Sequence, residues 1–583
     1  MSEEEQNTEK PQESESSAHW EGRPHLGWHT YDLPGPFECY ALGEYEAEYG
    51  PEPKTLAELR MYALSWTLRS KPEWQRKSAD PEILSKWRKE VLEQQESGDL
   101  DLDEKLTEKM VDYVLSELTG YAKIADPERG IERGCFDAIW YSDRLLSDDI
   151  AQRLKSAVTV LEDVPEAKKD WHPGSNGQVL DLVHPSLYCV VYGRTHAFLP
   201  DKPHVLANLL PVTVPILDAD EWTISRTFCW MPSDFTVLAD GSVKLLSPYI
   251  NNLHPEKHQP LYRIIEDVLT GFIPMFERVL GEIERKNKVA LKYSGRIGAA
   301  DGVECIWSEE GWDTPSPPEE LEEAEQQKYL DSKKTLPEAN IYAGELESAL
   351  SPISLRERTI QCIVKLANIH LTPEQPEYAG GSWHVEGMAN EHVVASGIYY
   401  YDEENITESR LSFRVATGQP VYHKQSDSEC MRTLYGIDAQ DECVQEIGSM
   451  VTKAGRALSW PNLFQHSVSS FKLTDPSKPG HRKILAIFLV DPTVDPIASA
   501  TDVPPQQAEW AADALQDAAK KPESFVSRVP QELVDLIKGH LPTTFMTLQE
   551  AEAYRLTLME ERTAFVQTHS DTAFGVTFNM CEH

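Results

Sequence analysis

GGSWHVEGMANEH, residues 380–392, sets a His and a Glu two positions apart behind paired glycines, and the fold turns on whether it is read as strand. Residues i and i+2 of a strand project from the same face, so His384 and Glu386 can meet one ion without strain. Gly380 and Gly381 permit a tight turn just before them. The pattern His-x-acid is weak by itself. The chain has four such pairs, His19/Glu21, His254/Glu256, His384/Glu386 and His569/Asp571, and a sequence this acidic yields one or two by chance. Context separates them. His19 borders an acidic tail, His569 is followed only by the terminal His583, and His254/Glu256 encloses Pro255 at a helix start, where Glu has an ordinary capping role. Only His384/Glu386 lies where strands crowd together.

Around it, CIVKLANIHL, SWHVEG, HVVASGIYYYD, RLSFRVA, CVQEIGSMV, ALSWPN, HSVSSFKL and RKILAIFLVD read as short strands separated by turn residues. That spacing predicts a sandwich or jelly roll. The fold class expected is therefore α+β, with a double-stranded β-helix core over 346–504 and extensive flanking helices. Farther along, His466 offers a third ligand and Arg482 follows it. Two His and one carboxylate sharing a face, with open positions opposite, form the facial triad of non-haem Fe(II) oxygenases. A cation beyond the third ligand suits the distal carboxylate of a 2-oxo acid, which Arg grips with two parallel hydrogen bonds.

In order along the chain stand His-x-Glu, the apolar strand GIYYYD, a Gly-Arg turn at 455–456, His466 before Ser467 and Val468, and Gly480-His481-Arg482 leading the last strand. In this, residues 380–492 resemble the catalytic core of the 2-oxoglutarate/Fe(II) dioxygenases, prolyl-hydroxylase-like branch. Through INNLHP, KLANI, GGSWHVEGM, NEHVVASGIYYY and PGHRKIL the whole chain also resembles a large fungal family of unknown function regarded as oxygenases of this type. The resemblance implies His384, Glu386 and His466 as iron ligands and Arg482 as the 2-oxoglutarate anchor. Two departures stand out: the acid is Glu where Asp is commoner, and the gap from His466 to Arg482 is long. Lys483 is the alternative anchor, because both faces of that strand are apolar and parity does not decide. Tyr399 and Tyr401 share a strand face and are candidate hydrogen-bond donors to the oxo acid. A cupin-type metal dioxygenase that needs no 2-oxoglutarate is the rival within the same architecture, and it would recruit Glu391 or His392. A non-catalytic binding or scaffold protein on the same β core is the reading outside enzymology.

Upstream, Leu106, Met110, Val114 and Leu118 recur at helical spacing. FTVLADGSVKLLS predicts a hairpin with a two-residue turn at Asp240-Gly241. Leu261, Ile265, Val268, Phe272, Phe276, Val279 and Ile283 form the apolar face of a helix near 259–287, which Pro274 is expected to kink. Residues 1–18, with six Glu against one Lys, predict a solvated tail and no secretory signal. Residues 19–345 read as a mainly helical region ending in an acidic loop over 308–348, and 505–583 as a second helical region. The 583 residues carry a formal charge of −41, from 55 basic and 96 acidic groups. Such a surface repels phosphate backbones and anionic lipid, so neither nucleic acid nor membrane is an expected partner. Nine scattered cysteines, never spaced CxxC, fit a reducing compartment, and the expected location is the cytoplasm or nucleus. The expected reaction consumes O2 and 2-oxoglutarate, releases succinate and CO2, and hydroxylates a small-molecule or peptide substrate that the sequence does not identify.

Overall fold

The computed structural model describes residues 31–37, 51–97, 105–200, 202–285, 296–297, 316–331, 336–420, 428–540 and 544–580. The acidic tail at 1–18 and the first part of the acidic loop at 308–315 lie outside them. Five helices carry most of the helical content: α1 (Leu56–Arg69), α2 (Glu108–Ile124), α3 (Asp148–Glu162), α4 (Gln259–Ile283) and α5 (Leu548–Thr572). Hydroxyl side chains start four of them. Thr55, Thr107, Ser147 and Thr547 each accept from a backbone N–H in the first turn, satisfying a donor the helix leaves open. The whole expected apolar face of α4 is buried, and the helix is continuous through Pro274. The acidic segment holds more helix than a solvated loop would, at Glu323–Asp331 and Glu345–Ser348.

Twelve strands frame the site. In chain order they are β1 (Glu132–Arg133), β2 (Trp140–Ser142), β3 (Val179–Val183), β4 (Ser233–Val237), β5 (Val243–Leu245), β6 (Arg358–Leu371), β7 (Val393–Glu404), β8 (Ser409–Ala416), β9 (Val444–Thr452), β10 (Ala457–Pro461), β11 (Gln465–Val468) and β12 (Gly480–Val490). The large sheet runs β1-β2-β10-β7-β12-β6-β4-β5, with β3 also on β6, and the small sheet runs β9-β8-β11. Every pairing among them is antiparallel. Among the described residues the two sheets do not join into a closed barrel. They are tied together where Arg482 on β12 donates to the Ser409 hydroxyl on β8 at 2.6 Å, and where Phe413 on β8 meets Trp460 on β10.

The structure corrects three expectations. The division at 345/346 is not a boundary for the large sheet, which takes β1–β5 from before it and β6, β7, β10 and β12 from after it. The hairpin β4–β5 turns through three residues, Ala239–Gly241, because Leu238 and Ser242 still hydrogen-bond; Gly241 supplies the left-handed conformation at φ +88°. SWHVEG is not a regular strand. It touches the small sheet through a single bridge, His384 to His466, closed by hydrogen bonds in both directions at 3.0 and 3.2 Å.

Candidate metal centre

That single bridge fixes the site. It sets His384 beside His466, the second residue of β11, with the ring centroids 4.3 Å apart. Glu386, two residues on, brings Oε1 to 3.8 Å from His384 Nε2 and 3.5 Å from His466 Nε2. One ligand atom from each of the three lies within 4.8 Å of the other two. The backbone that carries Glu386 is clamped by Asn462. The Asn462 Oδ1 accepts the Glu386 N–H at 2.8 Å, while its Nδ2 donates to the carbonyls of Glu386 and Val393. Trp460 packs edge-on against the His466 ring. The His466 side chain is 7% exposed and Glu386 14%, whereas a third of His384 reaches solvent and leaves the centre open on that side.

Proton positions follow from partners. The Nδ1–H of His384 donates to the Ser382 carbonyl at 2.8 Å, so the lone pair of Nε2 faces the other two ligands. Burial, with His466 beside it, pushes the His384 imidazole down to about 4. Burial alone would raise the Glu386 carboxyl, but the contact with His466 and the pull of His384 and Lys365 outweigh it and hold the group at about 2. At neutral pH His384 is uncharged and Glu386 is ionised, the states a divalent cation requires.

Arg482 is 1% exposed and faces the same side of the large sheet as Ile484, its neighbour two residues on, and as Tyr400, which pairs with Ile484 across β7. Its guanidinium packs over the rings of Phe471 and Tyr400, and Nη1 reaches Ser409. Among the described residues Nε and Nη2 are buried without a hydrogen-bond partner, and Glu403 stands 3.9 Å from Nη2, beyond hydrogen-bond range. Lys483 points to the opposite face and is paired with Glu162 of α3 at 2.9 Å. Tyr399 and Tyr401 do not reach toward Arg482, contrary to expectation. Strand alternation turns them to the side of α3, where the Tyr401 hydroxyl donates to Asn368 and Tyr399 sits near Asp148; the residue facing Arg482 is Tyr400. Glu391 is wholly buried and already accepts from the backbone of Met388 and Trp230 and from Arg562, so it is committed elsewhere. His392 turns in a left-handed conformation outside the cluster. His254 and His569 also stand apart from it, His254 bound to the backbone N–H of Glu256 and His569 facing the Pro36 carbonyl.

A second cluster escaped the sequence reading: His172, Asp181 and His184. It is wired differently. The Ser186 N–H donates to His184 Nδ1, which leaves the proton on Nε2 and no lone pair for an ion, and His172 Nδ1 is bound to Asp181 Oδ2 at 2.7 Å. Lys365, also missed, stands on β6, on the face that Arg482 and Asp181 share. A lone Lys within the apolar run CIVKLANIHL was the signal available for it.

Residues 108–514 match the family described as "Protein of unknown function (DUF4246)", and residues 27–90 match "Domain of unknown function DUF4246, N-terminal". No curated protein matches the chain. Among solved structures, similarity is found to the Fe(II)/(alpha)ketoglutarate-dependent dioxygenase TqaL, at 10% identity over 61% of this chain and 96% of that one, TM-score 0.21. It is also found to AviO1 from Streptomyces viridochromogenes Tue57, at 9% identity over 62% and 93%, TM-score 0.21. A shorter likeness to EvdO2 from Micromonospora carbonacea var. aurantiaca covers 24% of this chain and 56% of that one at 15% identity, TM-score 0.13. Among the described residues no helix is long and apolar enough to cross a membrane.

Proposed function

The chain belongs to the DUF4246 family, and for this member we propose an Fe(II)- and 2-oxoglutarate-dependent oxygenase on a double-stranded β-helix. The strand order supports the fold. From β6 the chain passes to the His384 bridge on the small sheet, back to β7, then to β8 and β9, to β10, to β11 and finally to β12. Passage back and forth between two antiparallel sheets in this way is how a jelly roll is wound.

The observation that carries the activity is the convergence of His384 Nε2, Glu386 Oε1 and His466 Nε2, with the His384 lone pair already aimed inward. Two imidazoles and a carboxylate on one side leave the other coordination positions free, the donor set that suits non-haem Fe(II). Arg482 fits the cosubstrate. A buried guanidinium with two unmet donors is costly, and a carboxylate binding both removes that cost. The iron, when bound, supplies the activation of O2 that couples decarboxylation of 2-oxoglutarate, giving succinate and CO2, to hydroxylation of a substrate C–H bond.

The remaining work falls to the chain. Ser382 holds the His384 tautomer, Asn462 holds the Glu386 backbone, Trp460 and the buried side of His466 keep water from one flank, and Arg482 orients the oxo acid. The test is to load the full chain with Fe(II) anaerobically, measure bound metal by plasma mass spectrometry, and follow succinate on adding 2-oxoglutarate and air. One iron per chain and succinate release are expected, both lost in His384→Ala. Iron retained at full stoichiometry by that variant overturns the assignment.

A further inference from the structure

The large sheet carries a second polar recess on the same face as Arg482, and its unmet groups have two signs. Lys365 pairs across β6–β12 with Ala486, and Ile369 pairs with Arg482, so the two cations share a face four residues apart, about 13 Å along the strand. On the other edge of β6, Ala367 pairs with Asp181 of β3, which places Asp181 diagonally from Lys365 on that face, and a register shift just beyond brings His184 round to the same side. Asp181 is 4% exposed and among the described residues its Oδ1 has no hydrogen-bond partner, although Oδ2 is held by His172. Lys365 makes no hydrogen bond or ion pair among the described residues, although diagonal neighbours in a sheet stand only about 7–8 Å apart. The Ser186 N–H donates to His184 Nδ1, which leaves the proton on Nε2, and among the described residues that Nε2–H makes no hydrogen bond. Across this recess α5 contributes Arg555, but both oxygens of Asp170 bind it and cancel its charge. Arg482 on that face reaches Ser409 of the small sheet, whose β8 pairs with the β11 that carries His466, so Lys365 stands on the face turned toward the metal centre.

We propose that this recess holds the substrate and that the substrate is a free α-amino acid, its ammonium on Asp181 Oδ1 and its carboxylate on Lys365 and the Nε2–H of His184. The inference rests on reading His384, Glu386 and His466 as the metal centre, since that makes the recess a substrate subsite. It divides labour between the cations: Arg482 takes the cosubstrate carboxylate and Lys365 the substrate carboxylate. A buried carboxylate oxygen and an ammonium that make no ion pair with each other suit a ligand that carries one group of each sign on one carbon.

The test is calorimetry on the full chain with the common L-amino acids, each beside its amine lacking the carboxylate and its 2-hydroxy acid lacking the ammonium. Every titration is run with and without Mn(II) as the metal probe. At least one amino acid is expected to bind, with both analogues weaker by about tenfold or more, the cost of an unmet charged hydrogen bond. Asp181→Asn should erase the preference over the hydroxy acid, and Lys365→Met the preference over the amine, with Mn(II) still bound in each. Thermal unfolding of both variants shows whether they fold, and Lys365→Met, at a half-buried position, carries the test if Asp181→Asn does not. The proposal is overturned if no amino acid binds, or if a folded variant binds the amino acid and its analogues as the parent does. Absence of Mn(II) binding in the parent instead overturns the metal centre, and the titrations without metal still read the recess.

Discussion

Arg482 and Lys483 are adjacent cations with different surroundings. The lysine has an ion pair with Glu162 on the helix-covered side, so its charge is balanced where it stands. The arginine is buried over two aromatic rings with Nε and Nη2 unmet. A bidentate carboxylate is the acceptor that geometry accommodates, and an ammonium in its place offers no parallel pair of donors. Arg482→Met is therefore expected to raise the 2-oxoglutarate concentration needed for half-maximal succinate release by about tenfold or more, with iron stoichiometry unchanged. Lys483→Met should leave that concentration within about twofold of the parent, because its charge is already balanced by Glu162 on the opposite face. Equal effects from the two substitutions would remove Arg482 from the anchor role. This choice could not be made from sequence, because both faces of β12 are apolar and alternation alone is silent. That His384, Glu386 and His466 converge was legible because the proposed chemistry needs those residue types in that order. Tyr399 and Tyr401 were misassigned because alternation says which residues share a face but not which face looks inward. Asp181 and Lys365 come together only through the β3–β6 pairing, which no local pattern announces.

At the scale of elements, the position of β7 depends on α4. Gly397 faces the helix, and a Cβ there would lie 2.9 Å from Phe272 Cδ1 and Cε1 and 3.0 Å from Phe276 Cζ. Both rings are fully buried and cannot swing away. Gly397→Ala must therefore push the strand off the helix, at a cost of about 1–3 kcal/mol for an overpacked core. Urea unfolding followed by tryptophan fluorescence measures it, and stability equal to the parent would mean that the helix yields. Because β7 pairs with both β10 and β12, the same substitution should weaken 2-oxoglutarate binding in proportion to any displacement of Arg482. The buried face of the helix was readable: seven apolar residues at helical spacing are all buried. SWHVEG was not readable as what it is, since a segment joined to a sheet by one bridge has the composition of a strand without its ladder.

Over the whole molecule, the residues before 345 and those after it are bound into one sheet, and Asp143 is a junction between them. It follows β2, and its carboxylate takes both Nε and Nη2 of Arg456, just before β10, at 2.6 and 2.9 Å, with Lys453 at 2.9 Å. The sequence division missed this because β2 is three residues long and its partner lies more than 300 positions away. Burial raises the Asp143 carboxyl, but the bonds from Arg456 and Lys453 outweigh it and hold the group below its ordinary value. A depressed carboxyl stabilises the fold above its unfolded pKa of about 3.9, and that contribution fades as pH falls below this value toward the folded one. The side chain is 39% exposed, so solvent screening limits the pair to about 1 kcal/mol. Asp143→Asn is thus expected to lower stability by about that amount at pH 7 and at pH 5, as measured by urea unfolding. The difference should shrink as the pH is taken below about 4. A gap that stays constant into that acid range would mean that the pair's charge contributes nothing and that packing alone joins β2 to β10.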